Sequence, residues 1–341
     1  MKKILLLAVC LMMIGMQSVM AQTATVMLMH EGTPKYFNPS HLSDALDIAV
    51  DGDSLLLSEG SFAGNFTITK HVCLIGAGTK TVISGGITVA LEDSLMTDAY
   101  MLDAMYIMND ITVTKAVNGL KIRKCSFLNI SFSGRTDFSI MENCYCRGTF
   151  NMGPSFTESE SSLYGMIVYN SKLANVYGSA VADGAAVLDH CNIKLVTIGG
   201  NTKDNRVTFQ SSIIGGWSNG LADYYGTPYG GNSIYINCLC NGSNYSTGNP
   251  ARYTDCWQMS DSESLTDDIE YANSKTYSQY NYDAMKYLKG ERKCSDGTEV
   301  GITGGSLPYT LTPTLPTVTE STSTVDNANK KLRVTLKVSS N

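Results

Sequence analysis

One short phrase recurs seven times between Ile122 and Gln258, and this repeat constrains the fold more than any other feature of the chain. Each copy has a bulky residue, any residue, a turn-prone residue, a Cys or Ser, any residue, and usually a second apolar residue. The copies are Ile122–Phe127, Met141–Cys146, Val168–Leu173, Leu188–Ile193, Phe209–Ile214, Tyr235–Cys240 and Tyr253–Gln258. Only the last copy lacks the final apolar residue.

The spacing of the copies indicates a stacked repeat. Their Cys/Ser positions are separated by 19, 27, 20, 21, 26 and 18 residues, a range typical of solenoids. Short β-rich pieces such as Leu188–Ile193 and Val207–Ile214 are broken by Gly, Asn and Ser. A leucine-rich repeat would show a leucine-and-asparagine consensus and a helical piece in each unit, and neither is visible. The repeat therefore predicts a β-solenoid.

The third position of the phrase predicts a sharp turn. Asn, Asp and His adopt the left-handed backbone conformation more readily than other non-glycine residues. Five copies carry such a residue, namely Asn143, Asn170, His190, Asn237 and Asp255. After the turn, the Cys or Ser is predicted to point inward and stack on its counterpart in the next rung. Ala104, 21 residues before Cys125, is predicted to continue this inward row upstream.

The N-terminus resembles a secretory signal. Lys2 and Lys3 precede an uncharged apolar run, Ile4–Met16, and Val19-Met20-Ala21 fits a signal peptidase site. The pattern predicts a cleaved signal peptide over residues 1–21 and export to the periplasm, cell surface or medium. The apolar run is shorter than the roughly 20 residues of a spanning helix, so no membrane insertion is predicted after cleavage. Cys10 lies too early in the run for a lipoprotein signal.

The charge balance excludes some partners. The whole chain has a formal net charge of −6, and loss of Lys2 and Lys3 leaves 23 Lys and Arg against 31 Asp and Glu, about −8. No basic stripe is compatible with this balance, so we predict no nucleic-acid binding and no strong adhesion to an anionic membrane surface.

The cysteines are predicted to be core residues. Nine remain after cleavage, an odd number in a chain too long for a disulfide scaffold. Seven belong to the repeated phrase and are predicted to be buried as small hydrophobes: Cys125, Cys144, Cys146, Cys191, Cys238, Cys240 and Cys256. The Cys-x-Cys spacing within two copies differs from that of zinc sites, so no metal site is predicted. Stacking at about 4.8 Å leaves one or two disulfides open.

A helix is predicted before the first rung. Leu42, Ala45, Leu46 and Ala49 share one face of the segment 40–50, and Ser40 is its predicted N-cap. A solenoid has an open apolar end that must be covered. The predicted role of the helix is therefore to cover the first rung.

Two segments carry a family resemblance. Ser43–Gly85, SDALDIAVDGDSLLLSEGSFAGNFTITKHVCLIGAGTKTVISG, resembles the opening of secreted bacterial β-helix proteins of the pectin-lyase-like superfamily. Ser295–Tyr309, SDGTEVGITGGSLPY, is similar to the segment that closes many of them, with Thr303 at a usually aromatic position. The resemblance implies a single-stranded right-handed parallel β-helix over residues 22–305. It implies no particular activity, because lyases, glycosidases and adhesins share this fold.

The remaining residues, 306–341, are predicted to form an extended segment and a β-hairpin packed on the solenoid. The strand Lys331–Val338 alternates strictly, with its apolar residues predicted to face the body and its basic residues to face water. A targeting or docking tail is the rival hypothesis, in which this strand would bind another envelope protein.

Catalytic motifs of the resembling families are largely missing. Val187-Leu188-Asp189-His190 only partly matches a pectate lyase phrase, the lyase arginine segment is absent, and so is the polygalacturonase set. His190 falls on the turn position and is predicted to be a structural corner. The weak catalytic candidates are Asp183, Asp189, Asp204, Arg206 and Asp223, which would converge if consecutive rungs align. No cofactor is predicted, except Ca²⁺ if the site were lyase-like.

Aromatic residues offer a different candidate site. Tyrosines and both tryptophans are concentrated between Trp217 and Trp257, among Gly, Asn and Ser. Tyr235 and Tyr253 belong to the phrase and are predicted to be core residues. The candidate ligand-binding residues are Trp217, Tyr224, Tyr225, Tyr229 and Tyr245. Rigid rings beside amide and hydroxyl groups stack on sugar faces; the alternative is that they only cover an apolar flank.

Three functions are compatible with these observations. The first is a secreted or cell-surface, non-catalytic module that binds a polysaccharide or glycoconjugate, or mediates adhesion. The second is a polysaccharide lyase or glycoside hydrolase with a non-standard site. The third is a structural envelope protein.

Overall fold

The computed structural model describes residues 24–91, 101–133, 136–152, 163–178, 186–198, 207–216, 233–240, 253–259, 292–312, 317–326 and 331–339. They form a right-handed parallel β-solenoid with one short N-terminal helix and a C-terminal hairpin. The predicted all-β fold class is therefore confirmed. The predicted signal peptide lies outside the described residues.

The strands are short and follow one another closely. The first eleven are β1 (Val26–His30), β2 (Thr33–Phe37), β3 (Ser54–Leu57), β4 (Gly60–Phe62), β5 (Phe66–Ile68), β6 (Cys73–Ile75), β7 (Thr81–Ile83), β8 (Ile87–Val89), β9 (Leu102–Asp103), β10 (Tyr106–Ile107) and β11 (Ile111–Val113). The next ten are β12 (Val117–Asn118), β13 (Lys121–Arg123), β14 (Ser126–Phe127), β15 (Ile130–Phe132), β16 (Thr136–Asp137), β17 (Ile140–Glu142), β18 (Tyr145–Asn151), β19 (Leu163–Tyr164), β20 (Met166–Tyr169) and β21 (Lys172–Gly178). The last ten are β22 (Ala186–Asp189), β23 (Asn192–Ile198), β24 (Val207–Gln210), β25 (Ile213–Ile214), β26 (Ile234–Ile236), β27 (Leu239–Cys240), β28 (Tyr253–Thr254), β29 (Trp257–Gln258), β30 (Thr317–Asp326) and β31 (Lys331–Ser339).

The strands stack into parallel sheets along the solenoid. The first sheet has the order β2-β1-β3-β6-β9-β13-β17-β20-β22-β24-β26-β28, and only its β2–β1 and β1–β3 pairs are antiparallel. The second sheet stacks β4-β7-β10-β14-β18-β21-β23-β25-β27-β29, with β5-β8-β11-β15 joined to it through β18. A third sheet contains β12, β16 and β19. Each copy of the phrase begins in the first sheet and ends in the second.

The predicted turns separate these two sheets. The third residue of all seven copies has a positive φ, between 42° and 53°. Besides the five predicted residues, Lys124 and Ser211 adopt this conformation. Lys and Ser are less stable than Asn or Gly in this left-handed conformation, so the surrounding packing must hold Lys124 and Ser211 in it. We call the residues Lys124, Asn143, Asn170, His190, Ser211 and Asn237 the turn row.

The predicted position of Ala104 was wrong by one residue. Leu102 pairs with Ile122 and Asp103 with Arg123, so Ala104 aligns with the turn residue Lys124. Its φ of 55° fits that position. Met105, which is fully buried, takes the inward place instead. The error arose because Ala fits an inward row of small residues by size, whereas the backbone register assigns it to the turn.

The inward row is held by regular hydrogen bonds. The backbone N–H of Cys191 donates to Ser212 Oγ at 2.9 Å, and Ser212 Oγ donates to the carbonyl of Gln210, two residues earlier, at 2.7 Å. Cys144 and Ser171 repeat the N–H to Oγ bond at 3.0 Å. The thiol of Cys191 likewise donates to the carbonyl of Asp189 at 3.4 Å. A Cys or Ser therefore satisfies backbone groups of two rungs at once.

The predicted core residues are buried. Phe209, Tyr235 and Tyr253 stack on one another, with ring centroids 5.1 and 4.9 Å apart. The nine described cysteines form no disulfide with one another. Six of the seven phrase cysteines are buried, and Cys256 is half-buried. Burial raises the pKa of the Cys146 thiol to about 12, so this thiol behaves as a hydrophobe.

The N-terminal end has an apolar cover. Helix α1 spans Leu42–Ile48 and follows a 3-10 turn over Pro39–His41. Leu42, Ala45, Leu46 and Ala49 are all buried, as predicted. The predicted Ser40 N-cap was wrong, because Ser40 lies inside the 3-10 turn and His41 occupies the N-cap, without a side-chain capping bond to the helix backbone.

The C-terminal residues form the predicted hairpin. Strands β30 and β31 pair antiparallel, with an irregular register between Val318 and Glu320. The packing of the hairpin on the solenoid remains a prediction. Among the residues that the structure describes, no helix has the length and apolar character needed to cross a bilayer.

Candidate functional site

Residues 292–312, which we call the closing segment, run along the turn row. The segment meets successive rungs in the direction opposite to the rung order. Asn237 Nδ2 donates to Ser295 Oγ at 2.9 Å, Gly301 N to the Ser211 carbonyl at 2.7 Å, Asn170 Nδ2 to the Gly304 carbonyl at 2.8 Å, Thr310 N to Asn143 Oδ1 at 3.0 Å, and Lys124 Nζ to the Thr312 carbonyl at 2.7 Å. The turn residues therefore bind the closing segment rung by rung.

The closing segment explains why this polar row is buried. Each of the six turn-row residues is at most 7% exposed, although Asn and Lys side chains are normally exposed to water. Buried polar groups require hydrogen-bond partners, and the segment supplies them. Burial, together with the neighbouring charge of Arg123, lowers the pKa of Lys124.

The glycines of the segment permit its close approach. A side chain at Gly304 would collide with the carbonyl of Glu299 and lie 2.7 Å from the ring of His190. Gly301 has a φ of 82°, and a Cβ there would lie 2.5 Å from Asn192 Oδ1. The Gly-rich sequence after Glu299 is therefore required by contact with the rungs beneath it.

His190 is the turn residue with the most polar surroundings. Its side chain is 4% exposed, and its Nδ1 lies 2.9 Å from Asp189 Oδ1. No described residue forms a hydrogen bond of standard geometry with this buried carboxylate oxygen, so its contact with the ring is an ion pair. On the opposite side of the ring, Nε2 lies 2.9 Å from Thr298 Oγ1 and 3.6 Å from Asp296 Oδ2. The ring thus joins the end of β22 to the closing segment.

Cys294 completes this cluster. One donor atom from each of His190, Cys294 and Asp296 lies within 4.8 Å of the other two. Cys294 is buried, whereas the Asp296 side chain is 46% exposed. Thr298 orients Asp296, since its N–H and hydroxyl both donate to Asp296 Oδ1, at 2.9 and 2.8 Å.

The charges of the cluster favour a protonated imidazole. Burial opposes the charge on His190, but its polar contacts with Asp189 and Cys294, and the Asp189 charge, raise its pKa to about 9. Burial also acts to raise the pKa of Asp296, but the Thr298 hydrogen bonds and the His190 charge hold that pKa below its ordinary value. At neutral pH the ring is therefore a cation between two carboxylates.

Only one of the predicted site residues can be placed in this region. Asp189 is half-buried beside His190, so it supports the turn. The other predicted catalytic and ligand-binding residues lie outside the described residues, namely Asp183, Asp204, Arg206, Asp223, Trp217, Tyr224, Tyr225, Tyr229 and Tyr245. The prediction of His190 as a corner is confirmed by its φ of 51°.

The connections that carry these residues re-enter the solenoid in register. Ala186, at the start of β22, pairs with Val207, at the start of β24. Ile234 pairs with Thr208, and Tyr253 pairs with Tyr235. The connections that precede β22, β24, β26 and β28 therefore all return to the same edge of the first sheet, with rungs about 4.8 Å apart.

Sequence reasoning missed the Cys294 cluster. Cys294 lies outside the repeated phrase, and its partner His190 is about a hundred residues earlier in the chain. The available signal was the alternation Cys294-x-Asp296-x-Thr298, which overlaps the start of the predicted closing motif Ser295–Tyr309. Protein-family models and curated proteins were both compared with this chain, and none of them matches it.

Proposed function

We propose that the chain is an exported, non-catalytic β-helix module of the pectin-lyase-like type that binds a polysaccharide or glycoconjugate. The proposed binding surface comprises the connections before β24, β26 and β28. One observation carries this proposal: these connections return to one sheet edge in consecutive rungs. Together they contain Trp217 and the four candidate tyrosines.

The chemistry of the connections suits a sugar ligand. Aromatic rings contribute apolar area at a low conformational cost, and the neighbouring Asn, Ser and Gly provide hydrogen-bonding groups. A spacing of about 4.8 Å between rungs is close to the length of one sugar residue, so successive connections would meet successive sugars of a chain. The net negative charge of the chain favours neutral glycans over strongly acidic ones.

The test is a glycan panel with matched variants. Purified protein without residues 1–21 is titrated calorimetrically with neutral and uronate-containing polysaccharides. The double variant Tyr224→Ala/Tyr225→Ala should lose at least about tenfold in affinity, the size of one or two lost stacking contacts. Tyr36→Ala is the control, since Tyr36 is 65% exposed in β2, far from this edge. Absence of binding across the panel, or equal losses in both variants, would contradict the proposal.

A polysaccharide lyase or glycoside hydrolase is the second candidate. The connection containing Asp183 precedes β22, and the one containing Asp204 and Arg206 precedes β24, which pairs with β22. Acidic and basic groups on adjacent rungs are what acid–base cleavage of a glycosidic bond requires. Release of reducing ends or unsaturated uronates that is lost in Asp204→Asn, but kept in the exposed Asp47→Asn, would establish this function and exclude a binding-only role.

A further inference from the structure

We infer that His190, Cys294 and Asp296 form a binding site for a zinc-type transition metal ion that fastens the closing segment to the solenoid. The three side chains bring their donor atoms within 4.8 Å of one another, around a point between β22 and the closing segment. The inference is independent of the proposed glycan binding. The proposed metal site lies at the C-terminal end of β22, whereas the candidate aromatic residues belong to the connections that precede β26 and β28.

The distances are close to those of a zinc site, in which the metal would replace the contact of His190 Nε2 with Thr298 Oγ1, at 2.9 Å. In tetrahedral zinc sites, nitrogen and oxygen ligands lie about 2.1 Å from the metal, which places two such donors about 3.4 Å apart. His190 Nε2 and Asp296 Oδ2 are separated by 3.6 Å. Cys294 Sγ lies within 4.8 Å of one ring nitrogen of His190 and one carboxylate oxygen of Asp296, and a sulfur ligand has a longer bond, of about 2.3 Å.

The groups around the ligands are arranged as in metal sites. A metal-binding histidine usually donates its second ring N–H to a carboxylate, which fixes the ring orientation. His190 Nδ1 lies 2.9 Å from Asp189 Oδ1, the buried oxygen without another partner among the described residues. Thr298 holds the non-ligating oxygen of Asp296 with two hydrogen bonds. Each ionisable ligand except the thiol therefore has a group that orients it.

The donor set selects the class of metal. A thiolate, an imidazole and a carboxylate favour Zn²⁺ or Co²⁺ over Ca²⁺ and Mg²⁺, which prefer sites built from oxygen ligands alone. The partial exposure of Asp296 provides an entry path and leaves the fourth ligand position to water. Binding releases the protons of the Cys294 thiol and of the imidazole, and Asp296 supplies the remaining negative charge.

The metal would link distant parts of the chain. His190 belongs to the solenoid, whereas Cys294 and Asp296 belong to the closing segment. A link across so many residues stabilises the folded state because it restricts a long loop, and metal affinity is then coupled to folding. The hydrogen bonds of the turn row would align the segment, and the metal would hold it there.

The experiment uses the full chain without residues 1–21, reduced and freed of metal by dialysis against a chelator. Zn²⁺ is titrated in competition with a chromophoric chelator, and Co²⁺ is titrated in parallel. The expected result is one ion per chain, with a thiolate-to-Co²⁺ charge-transfer band in the near ultraviolet. Cys294→Ser should abolish this band and weaken Zn²⁺ binding at least about a hundredfold, since it removes a ligand.

The variants are chosen so that their folding does not obscure the result. His190→Asn retains a residue that tolerates the left-handed conformation, as at Asn170 in the preceding rung. Asp189→Asn leaves all three ligands in place and should cost about 10- to 100-fold in affinity. Cys73→Ser and Cys256→Ser are the controls, because these are the two half-buried thiols elsewhere in the solenoid.

Two further measurements locate the ion. Zn²⁺ should slow hydrogen exchange in residues 292–312 of the wild-type chain and leave the exchange of Cys294→Ser unchanged. Stoichiometric binding that survives Cys294→Ser but not Cys256→Ser would assign the metal elsewhere and overturn the inference. Absence of binding at micromolar Zn²⁺ by the reduced wild-type chain would overturn it as well.

Discussion

The two covers of the solenoid differ in chemistry. Helix α1 covers the N-terminal end with buried aliphatic side chains, among them Leu42 and Leu46. The closing segment covers the turn row with hydrogen bonds from Asn, His and Lys side chains. Both covers hide backbone or side-chain groups of the rungs from water, one by apolar contact and the other by polar pairing.

This difference teaches how each cover is specified. Apolar burial stabilises in proportion to area, at about 25 cal/mol per Å², and tolerates small shifts in position. A hydrogen bond contributes only about 1 kcal/mol net, but a buried group without its partner costs about 1–3 kcal/mol. The helix therefore supplies stability to the end of the solenoid, whereas the closing segment can dock in one register only.

Removing apolar area from the N-terminal cover should have the largest effect. Leu42→Ala should lower the free energy of unfolding by about 3 kcal/mol, because Leu42 is fully buried and its loss leaves a cavity. Urea unfolding followed by circular dichroism measures the change.

Ile48→Ala is the control for this prediction. Ile48 belongs to the same helix but is 47% exposed, so its replacement should change the stability by less than about 1 kcal/mol. Equal losses in the two variants would mean that the helix face is not the stabilising element.

The N-terminal cover was predictable because its signal is local. Its four apolar residues, Leu42, Ala45, Leu46 and Ala49, recur at helical spacing within one short segment. The stacking of the rungs was predictable in the same way, from a repeat that is visible in the sequence. The cap residue was not predictable, since Pro39 begins a 3-10 turn that moves the start of the helix past Ser40. The prediction for Ala104 was wrong for a similar reason, because its register depends on the pairing of the preceding strand β9 with Ile122–Arg123.

The protonation of His190 should give the next largest effect, measured in the presence of a chelator. Its pKa is raised from 6.5 to about 9, so the stabilisation is fully present below about pH 6.5 and is lost as the pH rises through 9. The expected loss over this window is about 2–3 kcal/mol. Urea unfolding at a series of pH values measures it.

His190→Asn provides the reference for this pH dependence. Asn keeps the left-handed turn but has no titratable group, so the stability difference between wild type and variant should shrink from pH 6.5 to 9. The contributions of other ionisable groups, including His30, cancel in this difference. A difference that is constant or grows with pH would show that the charge of His190 does not hold the closing segment.

Asn143 tests whether a turn residue has two separate roles. Asn143→Gly keeps access to the φ of 53° but removes the bond from Thr310 N to Oδ1, and should cost about 1 kcal/mol. Asn143→Ala should cost about 1 kcal/mol more, because Ala is disfavoured in the left-handed region. Equal stabilities of the two variants in urea unfolding would show that backbone conformation contributes nothing at this position.

The polar cover could be predicted only in part. The turn conformation follows from residue type, which is why Asn143, Asn170 and His190 were identified from the sequence. Their second role, which is to bind the closing segment, arises only because that segment crosses the rungs. No local sequence pattern encodes a contact between His190 and Cys294. The positive φ at Lys124 and Ser211 was likewise imposed by stacking on their neighbours and not by their own preference.

Ser212, in the inward row, should show the smallest effect. Its hydroxyl accepts from Cys191 N and donates to the Gln210 carbonyl, so Ser212→Ala should cost about 1 kcal/mol in urea unfolding. Ser212→Cys should cost less than about 0.5 kcal/mol, since a thiol makes the same bond where Cys238 N donates to Cys256 Sγ at 3.4 Å. If both variants lose the same stability, size and not hydrogen bonding selects Cys and Ser in this row, and the repeat would then tolerate Ala at every inward position.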